Sequence, residues 1–266
     1  MEPNLNWHHA AKFSGRIDFS FTRHRPCSQW MQHLERLQLK ENHLQALSTH
    51  SPAPDIDFIR LIDADYPQSL AEHAFAPPVL YCQGRRELLS KPAISIVGSR
   101  KSTFLGRQFA HTLGKYAAEL GYSVVSGLAY GIDEAAHRGA LQQTIGIMGQ
   151  GICAKRSGSR GQLCSAILNA GGLLISEFPP DQPPQKWTYL HRNRLIAWMG
   201  DPLILVEAAQ RSGAMNTTQL ALEAGKKLYV VPHHPLIPSA QGGLKLLLEG
   251  AHPLIHPGQL PNIQHK

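Results

Sequence analysis

The sequence lacks an apolar run long enough to cross a membrane, and its polar start, Met1–Asn6, does not resemble a signal peptide. Its four cysteines, Cys27, Cys82, Cys153 and Cys164, are spread along the chain without a CxxC pair. That distribution favours a reduced setting over a disulfide framework. We therefore expect a cytoplasmic protein with no membrane partner.

Metal-site and catalytic patterns are also missing. The 15 histidines include no HExxH or other recognised ligand spacing, and no GxxxxGK[ST] segment is present. Ser99, Ser126 and Ser212 lie beside glycines without a recognisable base, so we interpret them as loop-capping hydroxyls. Asp133 and His137 lie four residues apart, which fits a helix N-terminal carboxylate followed by a packed histidine. We expect a non-catalytic protein that needs no metal and no cofactor.

The sequence does carry an excess of positive charge. Its formal net charge is +7, its pI is about 9.3, and its 266 residues suffice for one sizeable α/β domain with an appendage. A net positive charge of this size is compatible with a polyanionic partner, but it is also common among globular proteins. The partner has to be identified from motifs.

Apolar runs and glycine turns alternate from residue 93 onwards. The β-branched run Ala93–Val97 stops at Gly98-Ser99-Arg100, and a helical pattern follows over residues 103–120. A second run, Tyr122–Val125, stops at Ser126-Gly127, and Gly131 precedes another helical pattern. Further strands are predicted at Thr144–Met148, Leu173–Ser176, Pro202–Val206 and Lys227–Val231. The pattern predicts an α/β fold with a Rossmann-like, doubly wound and mostly parallel sheet, helices on both faces, and ligands at the carboxyl ends of the strands.

The remaining segments complete a domain prediction. Residues 56–80 predict an extended strand with proline-fixed turns at the domain edge. Later helices are predicted at Leu163–Ala170, from His191, at Gln219–Glu223 and at Gly242–Ala251. We divide the chain into a divergent, partly disordered helical leader at 1–54 with a helix over Gln29–Leu47, a Rossmann-like domain at 55–258, and a tail at 259–266.

Several motifs carry a family resemblance. Val97–Arg100, the run Ser126–His137, the segment GGLLISEFPPDQPPQ at 171–185 and Arg192-Asn193-Arg194 are similar to the DNA-processing protein A (DprA/Smf) family. The resemblance covers roughly residues 60–255 and implies a protein that binds single-stranded DNA, forms a homodimer and hands the strand to the RecA recombinase in transformation or recombination. The chain departs from the family where a Tyr-Pro pair should follow Gly151, where Leu244 replaces an asparagine, and where no winged-helix module follows.

The resemblance and the residue chemistry together select candidate DNA contacts. Arg100 matches the arginine that lines the family's DNA pocket. Glycines would let the backbone approach phosphates, basic side chains would neutralise them, and a flexible loop at 155–160 would lie beside Arg100. A solvated basic loop is the alternative for that segment. The candidates are Gly98, Ser99, Arg100, Lys101, Gly127, Gly131, Lys155, Arg156, Arg160, Arg192, Ser212 and Gly213.

Some of these roles stay open at this point. Arg192 and Arg194 can either reach the cleft or pair with Glu177 and Asp201. Base-stacking residues cannot be separated from packing residues among Phe178, Trp187 and Tyr189.

Two other functions remain to be weighed. Gly149–Ala154 reads GxGxxA after a strand, with Glu177 as a ribose ligand, which would suit an NAD-dependent oxidoreductase. However, the following Gly- and Ser-rich residues do not favour a helix starting within the motif. The other alternative is a protein that binds or processes a nucleotide derivative, because the sheet with glycine turns resembles a superfamily that includes phosphoribohydrolases. The PGGxGTxxE motif of those enzymes is absent from this sequence.

Overall fold

The computed structural model describes residues 55–61 and 63–260. The predicted leader at 1–54, with its helix over Gln29–Leu47, and residues 261–266 of the predicted tail lie outside the described residues. The description extends through a short 3₁₀ turn at Pro257–Gln259 to Leu260, whose side chain is buried.

One nine-stranded sheet organises the described chain, in the order β1-β2-β6-β5-β4-β3-β7-β8-β9. The two strands at one edge run antiparallel to their neighbours, and all other pairs are parallel. The strands are β1 (Asp57–Arg60), β2 (Val79–Gly84), β3 (Ala93–Val97), β4 (Ser123–Ser126), β5 (Thr144–Ile147), β6 (Leu173–Ser176), β7 (Leu203–Leu205), β8 (Leu228–Val230) and β9 (His252–Pro253).

The fold prediction is confirmed. All six predicted parallel strands form within two residues of their expected limits. The edge segment differs from its prediction, because residues 56–80 contribute both β1 and the start of β2. The Tyr66 hydroxyl donates to the carbonyl of Pro77 at 2.8 Å and holds the connection between these strands closed.

Helices cover both faces of the sheet, as predicted. α1 (Gln68–Ala71), α5 (Lys186–Met199), α6 (Gly213–Glu223) and α7 (Gln241–Leu248) pack with the core that includes Val97, Ile145 and Leu203. α2 (Phe104–Glu119), α3 (Ile132–Gly139) and α4 (Gly158–Asn169) pack against the opposite face. Within the described residues, no helix combines the length and the apolar character that a membrane span requires.

Three helices begin earlier than predicted. α4 starts at Gly158 instead of Leu163, α5 at Lys186 instead of His191, and α6 at Gly213 instead of Gln219. Ser212 accepts a hydrogen bond from the backbone N–H of Met215, and Gln185 with Thr188 forms a capping box. Polar and glycine residues that resembled loops are therefore the starts of helices.

The strand order reverses direction at the centre of the sheet. From β3 the chain proceeds to β4, β5 and β6 on one side, and then returns to place β7 on the other side of β3. Ser95 pairs with Leu203 and Val97 with Leu205, so both strands end at the same edge. Loops that leave neighbouring strands in opposite directions open a crevice between them, which is where open α/β sheets bind ligands.

Gly114 allows α2 and α3 to cross closely. A Cβ atom at Gly114 would lie 2.4 Å from the carbonyl oxygen of Ala136. Backbone cannot move aside as a flexible side chain can, so the helices would have to separate.

We predict that Gly114→Ala lowers the free energy of unfolding by about 1–3 kcal/mol, the usual cost of overpacking. Thr112→Ala, at an exposed position of the same helix, serves as the control and should leave stability unchanged or slightly raised. Urea unfolding measures both variants. A more stable Gly114→Ala, as helix propensity alone would give, would contradict this packing.

Candidate functional site

A cleft of about 740 Å³ opens where the loops after β3 and β7 diverge. Its walls come from the turn after β3, the N-terminal part of α6 and one face of α5. Among the predicted site residues, it is lined by Gly98, Ser99, Arg100, Lys101, Arg192, Ser212 and Gly213.

The basic turn after β3 forms one wall of the cleft. The backbone N–H of Ser99 donates to the carbonyl of Glu207 at 2.6 Å, and the Ser99 hydroxyl accepts from the N–H of Lys101 at 3.0 Å. Arg100 and Lys101 are exposed, and neither forms an ion pair with any residue that the structure describes. Their charges are therefore available to an anionic ligand.

Glu207 holds this turn in place, a role that the sequence did not predict. Its buried carboxylate accepts from the backbone N–H of Thr103 at 3.0 Å and from the Thr103 hydroxyl at 2.8 Å. The hydroxyl of Ser239, which lines the cleft, also donates to it. An acidic residue two positions after β7 was the available sequence signal for Glu207. Ser239 lies in a 3₁₀ turn at Pro238–Ala240, far along the chain, and gave no such signal.

The N-terminus of α6 forms the facing wall. Ser212 caps the helix, accepting from the N–H of Met215 at 3.4 Å, and Gly213 and Ala214 line the cleft. A Cβ at Gly213 would meet no atom within 4 Å, so space is open there. The first N–H groups of a helix carry partial positive charge and suit an anion.

Two buried charges form the floor of the cleft. Asp133 accepts from the N–H of Gly127 at 3.1 Å, and the Arg192 guanidinium donates to the carbonyls of Gly127, at 2.7 Å, and Ile147. Burial raises the pKa of Asp133, against the attraction of Arg192 and backbone N–H groups. Burial also lowers the pKa of Arg192 to about 10, which Asp133 opposes. Through these two hydrogen bonds Arg192 joins the loop after β4 to the end of β5. Because Arg192 is only 3% exposed, the exposed positive charge of the cleft comes from Arg100 and Lys101.

Three of the predicted site glycines pack closely against other parts of the protein. A Cβ at Gly98 would lie 2.6 Å from Ile132, one at Gly127 would lie 2.7 Å from the Asp133 carboxylate, and one at Gly131 would lie 2.4 Å from the Ser99 carbonyl. Gly131 also has a φ of +89°, which L side chains rarely adopt. Protein atoms fill these spaces, so these glycines permit close packing of the loops around the cleft.

Half of the segment 155–160, for which the sequence predicts a flexible loop, is helical, because the helix α4 begins at Gly158. Arg156 donates to Gln83 at 2.6 Å and to the Ile152 carbonyl, and Arg160 lies in the first turn of α4 and donates to the Tyr189 hydroxyl at 2.6 Å. With Gly127 these arginines surround a separate cavity of only about 10 Å³. Lys155 is exposed and lines neither cavity. Gly158, with a φ of +62°, begins a helix here instead of lengthening a loop.

Of the three predicted loop-capping hydroxyls, Ser99 and Ser212 accept backbone N–H groups at their turns, as described above. The Ser126 hydroxyl instead donates to the carbonyl of Ile96, in the neighbouring strand β3, at 2.6 Å. The interpretation of His137 as a packed residue is confirmed. His137 is buried, with its ring 2.7 Å from the Thr144 hydroxyl, and it accepts from the N–H of Leu128 at 3.3 Å. Burial, assisted by Arg192, lowers the pKa of His137 to about 3, so the ring is neutral. The described residues contain no group of three side chains that could hold a metal ion.

The glycine turn at Gly149–Ala154 packs against protein. A Cβ at Gly151 would lie 2.1 Å from the Pro179 carbonyl, and the N–H of Gly151 donates to Gln182 at 2.9 Å. The next helix, α4, begins only at Gly158, beyond the motif. This turn therefore presents no helix N-terminus to a pyrophosphate.

The three candidate stacking residues are engaged within the protein. Phe178 is 1% exposed and packs edge-on against Trp187, whose indole N–H donates to Gln185. Tyr189 lines the cleft, but the Arg160 guanidinium lies 5.1 Å from its ring centroid, and a Cβ at Gly149 would lie 2.6 Å from the ring. Phe178 is therefore a packing residue, and the Tyr189 ring is flanked by Arg160 and Gly149.

Arg194 has the structural role that the sequence left open. It forms a buried pair with Glu177, with nitrogen–oxygen distances of 2.7 and 2.6 Å. Burial raises the pKa of Glu177, but Arg194 and His191 outweigh it and hold the pKa at about 2. Glu177 is thus committed to an ion pair, and Asp201 instead accepts from the backbone N–H of Lys227 at 3.3 Å. The side-chain amide of Asn193 donates to the side-chain oxygen of Asn216 at 3.5 Å.

Comparison with known proteins gives consistent matches. Residues 57–263 match the family model described as DNA recombination-mediator protein A. The chain is 34% identical to protein Smf of Escherichia coli (strain K12) over 77% of this chain and 56% of that protein. It is 35% identical to the DNA processing protein DprA of Bacillus subtilis (strain 168), over 74% of this chain and 67% of that one. The chain thus spans little more than half the length of the Smf relative.

Two solved structures share the fold closely. DNA processing protein A from Streptococcus pneumoniae superposes with a TM-score of 0.75 and 30% identity, covering 86% of this chain and 80% of that chain. The Helicobacter pylori protein, described by its single-stranded DNA binding mode, gives a TM-score of 0.69 and 30% identity over 78% and 94% of the two chains.

The buried pair predicts a pH-dependent stability. Because the folded pKa of Glu177 is depressed from 4.5 to about 2, its stabilisation is present above pH 4.5 and is lost as the pH falls towards 2. Glu177→Gln should cost about 3–5 kcal/mol at pH 7, since it leaves Arg194 buried without a counter-charge. Denaturant unfolding should show that the difference in free energy of unfolding between wild type and Glu177→Gln narrows as the pH falls from 4.5 to 2. A difference that stays constant over this range would contradict the assignment.

Proposed function

The chain belongs to the DNA recombination-mediator protein A (DprA/Smf) family, and on that premise we propose that it binds single-stranded DNA in the cleft between β3 and β7. The observation that carries the proposal is that exposed cations and a helix N-terminus, both of which favour phosphate binding, line the same cleft. Arg100 and Lys101 bring unpaired positive charge from one wall, and the N-terminus of α6 brings oriented N–H groups from the other. The description of the Helicobacter pylori structure supports the same class of ligand.

The sugar–phosphate backbone is the part of the DNA that the charged groups of this cleft would bind. Each phosphate that a cationic side chain neutralises releases condensed counterions, which favours binding at low salt. The exposed guanidinium of Arg100 can donate two parallel hydrogen bonds to phosphate oxygens, whereas Lys101 contributes a point charge. The Glu207 contacts reduce the entropy lost by the turn on binding, because they order it beforehand.

The wider role is part of the same proposal. The protein acts by binding DNA without catalysing a reaction on it, passes the strand to RecA, and works in the cytoplasm as a homodimer. The family's description as a recombination mediator supports the hand-over. Leu222 and Leu248, which are 43% and 90% exposed in the leucine-rich late segment, support a dimer surface there. The free thiols of Cys82, Cys153 and Cys164 support a reducing compartment.

A nucleotide derivative is the second candidate ligand. The cleft volume of about 740 Å³ lies within the range of small-molecule sites, roughly 300–1,000 Å³. A mononucleotide would use the same cationic turn. The two ligands differ in how many phosphates are neutralised, and therefore in how steeply affinity depends on salt.

We predict that Arg100→Glu weakens binding of a labelled oligothymidine by about 2 kcal/mol, or roughly thirtyfold in Kd, because it places a negative charge beside the strand. Fluorescence anisotropy across a salt series measures the affinity. Wild-type affinity should fall steeply with salt, with a slope near −0.7 per phosphate contacted for a single strand. Arg100→Ala should reduce that slope by a little under one unit.

Lys115→Glu is the matched control. Lys115 is an exposed cation on α2, about eleven residues beyond the helix start and so roughly 17 Å along the axis from the basic turn. Its reversal should change affinity far less than Arg100→Glu. Binding independent of salt, tighter binding of AMP than of the oligonucleotide, or equal effects of the two reversals would each refute the proposal.

A further inference from the structure

Tyr130 stands out among the aromatic residues near the cleft because its side chain is 63% exposed. It lies in the turn between β4 and α3, directly after Ala129, which lines the cleft, although Tyr130 itself is not a lining residue. An exposed tyrosine ring beside a basic turn has a face free to stack on a planar ligand. No core cluster among the described residues includes it.

The backbone around Tyr130 is fixed against the basic turn. The N–H of Ile132 donates to the Ser99 carbonyl at 3.3 Å, and a Cβ at Gly131 would lie 2.4 Å from the same oxygen and 3.0 Å from the Arg100 carbonyl. The ring therefore projects from a segment one residue away from the contact that joins the two loops. Tyr130 is thus the sequence neighbour of a residue whose backbone packs against the carbonyls of Ser99 and Arg100.

The other aromatic candidates lack this combination. Phe178 is buried, Trp187 packs on Phe178 and does not line the cleft, and the Tyr189 ring is flanked by Arg160 and Gly149. Phe104 is 70% exposed at the start of α2, but neither of its neighbours, Thr103 and Leu105, lines the cleft, whereas Ala129 beside Tyr130 does.

We propose that Tyr130 stacks on a base of the bound strand and thereby makes the cleft specific for unpaired nucleic acid. This inference rests on the proposed function, because Arg100 and Lys101 must hold the backbone beside the ring. Every base offers a face for stacking, so the contact needs no particular sequence. A duplex keeps its base faces covered, so it gains the phosphate contacts without the ring contact. The phenol hydroxyl is not required.

The experiment compares Tyr130→Ala, Tyr130→Phe and the control Phe104→Ala with wild type by anisotropy. Tyr130→Ala should weaken oligothymidine binding about tenfold, whereas Tyr130→Phe and Phe104→Ala should bind like wild type. The slope of affinity against salt should stay the same in Tyr130→Ala, because no phosphate contact is lost. An oligonucleotide with abasic sites tests the base directly: Tyr130→Ala should cause no further loss with it.

Emission from 2-aminopurine in the oligonucleotide adds a direct report of stacking. Wild type should quench it more than Tyr130→Ala at saturating protein. Unchanged affinity and quenching in Tyr130→Ala, or a loss that persists with the abasic strand, would overturn the stacking role while leaving Arg100-dependent binding intact. Failure of wild type to bind any single strand would instead refute the proposed function.

Discussion

The parallel pairing of β3 with β7 is the constraint on which the candidate site depends. The chain leaves β3 in one direction and returns to β7 from the other, so the loops after these strands diverge and leave a space between them. The basic turn and the start of α6 line that space although they lie more than 100 residues apart in sequence. Glu207, two residues after β7, joins the two sides through its hydrogen bonds to Thr103.

Charges divide into two groups according to their burial. Asp133 with Arg192, and Glu177 with Arg194, are removed from water and compensate one another or bond to backbone carbonyls. Arg192 joins the loop after β4 to the end of β5, and Arg194 joins Glu177, after β6, to α5. Both pairs are committed to contacts within the protein. Arg100 and Lys101 remain exposed and hydrated, so their positive potential extends into solvent, where it can attract a polyanion.

The sequence predicted the parts of this structure that local patterns encode. Apolar runs and glycine turns located six strands, and the run Val97–Arg100 located the basic turn. Helix starts at Gly158 and Gly213 were missed because serine and glycine are common in both caps and loops. The roles of Arg156 and Arg160 were missed because Gln83 and Tyr189, their partners, come from distant segments. Which charged side chains stay exposed depends on tertiary contacts, and the hydrophobic periodicity of the sequence does not reveal those contacts.

The most direct test of the account is to map where a single strand touches the protein. An oligothymidine carrying 4-thiothymidine can be photo-crosslinked to the wild-type chain and the modified peptides identified by mass spectrometry. The account predicts crosslinks in the segments 98–101 and 128–131 and at the start of α6, with loss of all of them in Arg100→Glu. Crosslinks concentrated instead on the antiparallel edge around β1 and β2, and unaffected by Arg100→Glu, would contradict it.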